Sequence, residues 1–136
     1  MTETNSAPRV IITGAAGGIG SATATALRAR GARVVGLDLA AGDDIVACDV
    51  TDQASVDAAV RDAQQRLGGI DVLINCAGIG DPQSAAERPG DDALKVIDIN
   101  LLGTWRVTAA AIPALRESRG RAARSRSRSR CHRRRR

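Results

Sequence analysis

Residues 10–20 read Val-Ile-Ile-Thr-Gly-Ala-Ala-Gly-Gly-Ile-Gly, and this stretch constrains the fold more than any other. Val10, Ile11 and Ile12 are a short β-branched run of the kind buried on both faces of a parallel sheet. The glycines after them predict a tight turn into a helix. Gly14, Gly18 and Gly20 let the backbone approach a pyrophosphate without Cβ clashes, while the N–H groups and positive dipole end of the helix hold its charge. The stretch therefore predicts a strand, a turn and a helix that together bind a nucleotide diphosphate.

The missing residues narrow the nucleotide. A Walker-type loop needs Lys followed by Ser or Thr after its last glycine, and Lys95 is the chain's only lysine, so ATP or GTP chemistry is not expected. The interval Thr13-Gly14-x-x-x-Gly18-x-Gly20 is also longer at its start than G-x-G-x-x-G. It resembles the TGxxxGxG fingerprint of the short-chain dehydrogenase/reductase family, and the resemblance covers about residues 9 to 117.

Charge divides the chain near Arg119. Residues 1–118 hold 10 Lys+Arg against 15 Asp+Glu, a net of −5, whereas residues 119–136 hold 10 Arg and no acid. The overall charge of +5 thus belongs to the last segment, and the part expected to fold is acidic. Cys48, Cys76 and Cys131 are an odd number at no metal-like spacing, and residues 1–8 lack a signal-peptide pattern, so reduced thiols, no metal and a cytoplasmic setting are expected. The apolar stretch at 107–115 is broken by Thr108 and Pro113 and falls far short of the ~20 residues that span a bilayer.

Periodicity then orders the elements. A flexible arm at 1–8 precedes strand 9–13 and a small-residue helix over 18–30, with Ile19, Ala22 and Ala26 as its packing stripe and Gly31 as its stop. Strands come next at 33–38 and 45–50. A helix over 52–67, capped by Thr51 or Asp52, buries Val56, Ala59, Val60, Ala63 and Leu67. Residues 70–74 form a fourth strand, 80–91 a loop with Pro82 and Pro89, and 92–118 a helix in which Trp105 is read as core. Alternating strands and helices give an α/β, Rossmann-type doubly wound parallel sheet of four strands in the order 3-2-1-4, over 9–118.

Asp38 ends the second strand 18 residues beyond Gly20, close to the ~20 expected for the acid that accepts hydrogen bonds from an adenosine ribose. It repels a 2′-phosphate, and neither Leu39, Ala40 nor Gly17 supplies a cation, so NAD is preferred over NADP. Read without a ligand, Asp38 is a solvated acid. The family resemblance implies further cofactor positions at Gly17 and Ile19 in the turn, and at Asp49 and Val50 beside the adenine, although Asp49 also reads simply as a strand-end acid. Asn75-Cys76-Ala77-Gly78 resembles the family's NNAG with Cys76 in place of an Asn. Asn75 is expected to bridge strand backbones, small Ala77 and Gly78 leave room for the ribose, and Cys76 reads as a buried, inert thiol. Asn100, before Gly103, resembles the family's catalytic tetrad Asn, which holds a water near the proton relay. Alternatively, it bonds a neighbouring carbonyl within its helix.

The family's pattern stops after Ser118, where a fifth strand, a catalytic Ser and a Tyr-x-x-x-Lys helix would come next. The sequence has no tyrosine. Residues 119–136 are instead Arg/Ser-rich and without large apolar residues to build a core, which reads as a disordered tail. Two readings of that tail stand: a polybasic arm that contacts nucleic acid through phosphates, or the product of an altered reading frame. The resemblance implies an NAD-dependent oxidoreductase that moves a hydride between the cofactor and an alcohol or ketone. The chain as written is expected to be a truncated, inactive form, its fourth strand left as an open apolar edge. The alternative is a non-catalytic NAD- or nucleic-acid-binding protein. No membrane partner is expected, and a homo-oligomer is left open by a helix that resembles one pairing subunits in the family.

Overall fold

The β-branched run after Pro8 becomes the centre of a sheet because every one of its side chains finds an apolar neighbour on one face or the other. In a computed structural model of the chain, which describes residues 7–80, 86, 88–119 and the backbone of 121–124, strand β1 (Arg9–Thr13) pairs in parallel with β2 (Arg33–Asp38) on one side and β4 (Val72–Asn75) on the other. The short β3 (Ile45–Ala47) pairs with β2. Ile11, Val35, Leu37 and Leu73 point to one face, against helices α2 (Gln53–Leu67) and α4 (Thr104–Glu117). Val10, Ile12 and Val34 point to the other, against α1 (Gly18–Ala29). Helices α3 (Asp91–Ile97) and α4 are joined by a π-helical turn, Asp98–Gly103. No helix among the described residues is long and apolar enough to cross a membrane.

The strand order β3-β2-β1-β4 is the one read from the sequence, and one strand is added to it. Arg121–Arg124 form β5, parallel to β4, with Val72 opposite Arg121 and Asn75 opposite Arg124. The tail therefore does not become structureless at 119, and β4 is not an open edge. Pairing runs through backbone groups, and the unpaired edge of β4 is a template for whatever chain α4 delivers beside it. Residues 1–6, 81–85, 87, 120 and 125–136, which include most of the arm, Pro82 and the rest of the basic tail, lie outside the described residues.

Three elements differ from the sequence reading. The buried stripe of α1 is Gly20 and Ala24, not Ile19, Ala22 and Ala26, and Ile19 is 62% exposed. Gly20 turns the helix so that its bare Cα faces the Gly14 carbonyl, which a Cβ there would strike. Trp105 is 70% exposed rather than core, on the outward side of the helical run with Leu94, Ile97 and Leu101. Strand β3 stops at Ala47 instead of reaching residue 50, because its partner β2 ends at Asp38. The α2 stripe is as read, with Asp52 as its N-cap accepting from the Ala54 N–H at 3.1 Å and Gly68 as its left-handed C-cap.

Candidate functional site

The carboxyl ends of β1, β2 and β4 meet where the strand order reverses, the place at which an open α/β sheet leaves a crevice. A cleft of about 440 Å³ opens there. Its floor is the turn between β1 and α1. Gly14 has φ +66°, and a Cβ on it would lie 2.7 Å from the Ala77 N, so both conformation and space demand glycine. The Gly17 N–H donates to the Gly14 carbonyl at 3.1 Å and closes the turn. A Cβ on Gly18 would meet nothing within 4 Å. Helix α1 begins here with Gly17 as N-cap, no side-chain cap and no acid in its first turn, so its leading N–H groups and positive dipole end are left for an anion.

Asp38 stands on one wall of the cleft. Its Oδ2 accepts from the Ala16 N–H at 2.9 Å and its Oδ1 from the Leu39 N–H at 2.7 Å, which fixes the carboxylate against the glycine turn. Beyond it the wall continues through Cys48, Asp49, Val50 and Thr51. Thr51 donates both its N–H, at 2.9 Å, and its hydroxyl, at 2.7 Å, to Asp49 Oδ1. These bonds, the hydroxyl's first, hold the Asp49 carboxyl below the usual carboxylate range. Burial, reinforced by Asp49 and Asp38, pushes the Cys48 thiol up to about 11, so at neutral pH it is protonated and a poor nucleophile.

The opposite wall is Cys76, Ala77, Gly78 and Ile79. Cys76 is half-buried rather than fully buried, packing against the Val10–Ile12 side of the core and lining the cleft. Asn75 is buried behind this wall, and its side-chain amide donates to Thr108 Oγ1 on α4 at 3.3 Å. The bridge between strand ends expected of Asn75 is made by Thr13, whose buried hydroxyl accepts from the Cys76 and Ala77 N–H groups, each at 3.1 Å. Thr13 is legible as part of the fingerprint, but a hydroxyl at the end of a buried strand gives no sign of which N–H it will meet.

Asn100 sits in the π-helical turn and clasps Ile79, its Oδ1 accepting from the Ile79 N–H and its Nδ2 donating to the Ile79 carbonyl, both at 2.8 Å. A Cβ on Gly78 would stand 3.1 Å from Asn100 Oδ1, so glycine lets the clasp close. Ile99, from the same turn, lines the cleft. Of the positions expected to hold a cofactor, Gly14, Gly17, Asp38, Asp49, Val50, Ala77 and Gly78 line one cleft, with Gly18 and Gly20 setting its floor. Ile19 and Asn75 do not line it. The bare Gly18, the uncapped helix start and the preset Asp38 carboxylate fit a dinucleotide, the first two its phosphates and the third a ribose diol.

A family model described as short chain dehydrogenase matches residues 8–127. A curated Mycobacterium tuberculosis protein, (5R,7aS)-5-hydroxy-7a-methyl-1-oxo-2,3,5,6,7,7a-hexahydro-1H-indene-carboxyl-CoA reductase, is 38% identical over 127 residues, covering 80% of this chain and 48% of that protein. Among solved structures, ligand-free Thermoplasma acidophilum aldohexose dehydrogenase superposes with TM-score 0.73 at 32% identity, over 82% of this chain and 46% of that one. The 3-ketoacyl-(acyl-carrier-protein) reductase of Brucella melitensis, complexed with NADH, gives TM-score 0.73 at 34% identity, over 79% and 50%. The chain spans about half the length of the relatives it matches.

Proposed function

This chain belongs to the short-chain dehydrogenase/reductase family, and from that premise we propose that its cleft binds NAD in preference to NADP as the cofactor half of an alcohol or ketone oxidoreductase. The observation that carries the reading is the Asp38 carboxylate, held by the Ala16 and Leu39 N–H groups beside the glycine turn. There it accepts from both hydroxyls of an adenosine ribose and repels a 2′-phosphate. The first turn of α1 holds the pyrophosphate, Asp49 accepts from the adenine amino group, and the slim Ala77-Gly78 wall makes room for the second ribose. The NADH complex of the Brucella reductase supports a nicotinamide cofactor here.

When bound, the cofactor gives or takes a hydride. Asn100 keeps the Gly78–Ile79 backbone in place beside that chemistry. The alcohol proton needs a second group, and the sequence holds no tyrosine to exchange it. These 136 residues therefore bind without turning over. Calorimetric titration of the purified, nucleic-acid-free chain with NAD and NADP tests the reading. NAD is expected to bind at least about tenfold more tightly, the worth of one charge-assisted hydrogen bond and an avoided like-charge contact. Equal affinities, or a preference for NADP, would refute it.

A further inference from the structure

The run from Asp98 to Arg106 touches both walls of the cleft. On one side Asn100 clasps Ile79. On the other, Arg106 Nη1 donates to the Val50 carbonyl at 3.2 Å while bonding Asp98 Oδ1 at 2.8 Å, so the guanidinium is braced by an acid earlier in its own helical run. Gly103 completes the contact, since a Cβ there would sit 2.8 Å from Val50 Cγ2. The π-helical turn lies between α3 and α4, so one short run reaches Ile79 through Asn100 and Val50 through Gly103 and Arg106.

We infer that Arg106 is a positioning residue for the adenine end of the cofactor cleft: by holding the Val50 carbonyl against the π-helical turn, it sets where Asp49 and Thr51 stand. The inference rests on the dinucleotide reading above and deepens it. Val50 lies between Asp49 and Thr51, and beyond Thr51 the chain enters α2 through the Asp52 cap, which is fixed in place. The Val50 carbonyl is held while Asp49 Oδ1 is taken by Thr51, and Asp49 itself lines the cleft. The turn is also tied at Asp49, whose N–H donates to Ser55 Oγ at 2.9 Å and whose carbonyl accepts from the Asp52 N–H at 3.1 Å, so what the loss of Arg106 releases is the Val50 peptide between these anchors. The favourable charge of Arg106 on Asp49 acts in the same sense.

A merely structural arginine would affect all dinucleotides alike, whereas a positioning role acts on the adenine edge. The test is therefore a pair of ligands, NAD and nicotinamide hypoxanthine dinucleotide, in which a carbonyl replaces the adenine amino group. Binding of each is titrated on the full chain and on the Arg106→Met and Arg106→Lys variants. The wild-type chain is expected to prefer NAD. Arg106→Met is expected to cut that preference about five-fold, the net worth of one ordinary hydrogen bond, by weakening NAD while hypoxanthine affinity stays within about two-fold. Arg106→Lys, which still reaches the carbonyl, restores most of the preference. An unchanged preference in Arg106→Met, or an equal loss for both ligands, overturns the inference and leaves the dinucleotide reading standing. A wild-type chain that binds neither ligand overturns both.

Discussion

Asp38 shows how one carboxylate is made ready before a ligand arrives. It already accepts two backbone N–H groups, which removes the rotamer entropy a ribose would otherwise have to overcome. Asp38→Ser is expected to weaken NAD by about 1–3 kcal/mol and to narrow or reverse the margin over NADP, because the charge that repels a 2′-phosphate goes with it. Calorimetry with both dinucleotides reads this, and an unaltered margin would mean that the ribose sits elsewhere. Cys48 gives an independent check on the same wall. With its thiol pushed up to about 11 by burial and by two neighbouring carboxylates, it is expected to escape alkylation by iodoacetamide at pH 8 in the folded chain. Cys76, at the cleft surface, is expected to react before Cys48, and peptide mapping after labelling distinguishes them.

Among the elements, those legible in the sequence are those whose side chains alone decide them. The α2 stripe is readable because five apolar residues recur on one helical face, and β1 because β-branched residues suit a strand covered on both sides. The glycine turn is readable because its conformation excludes other residues. Gly14→Ala is accordingly expected to cost about 2 kcal/mol or more, combining a left-handed φ of +66° with a contact on the Ala77 backbone, and to abolish dinucleotide binding. Chemical denaturation and titration measure the two effects. The elements that sequence leaves open depend on partners distant along the chain. The π-helical turn at Asp98–Gly103 has an ordinary helical composition, and the contacts it makes, Asn100 on Ile79 and Gly103 on Val50, are with residues distant along the chain. Strand β5 has alanines and arginines where an apolar run was required, and it is selected by the vacant edge of β4 rather than by its own side chains.

At the scale of the whole molecule, the end opposite the cleft is drawn together by one ion pair. Arg9, which opens β1, places Nε 2.9 Å from Asp71 Oδ2 and Nη2 2.7 Å from Oδ1, a side-on pair with Asp71 just before β4. The same guanidinium donates to the Gly68 carbonyl at the end of α2, at 2.6 Å, and to Ser118 Oγ after α4, at 3.2 Å. Two strands and two helices thus share one cation, and a Cβ on Gly69 would collide with it. The Arg9 hydrogen bond holds the Asp71 carboxyl below its ordinary value, outweighing the partial burial that acts the other way. A carboxyl lowered in the folded state contributes stability that is complete above the unfolded value, near 3.9, and is lost as pH falls through the lower folded value. Asp71→Asn is therefore expected to destabilise the chain by about 1–2 kcal/mol at pH 7, a figure held down by the solvent that still reaches the pair. The gap between the two proteins should remain constant down to about pH 5 and close progressively below pH 4, because acid then removes from the wild type what the substitution has already removed. Urea unfolding at a series of pH values measures it. A gap that stayed constant into strong acid would show that Asp71 acts through packing and its neutral hydrogen bonds, and that the shared cation is not what ties β1, β4 and the ends of α2 and α4 together.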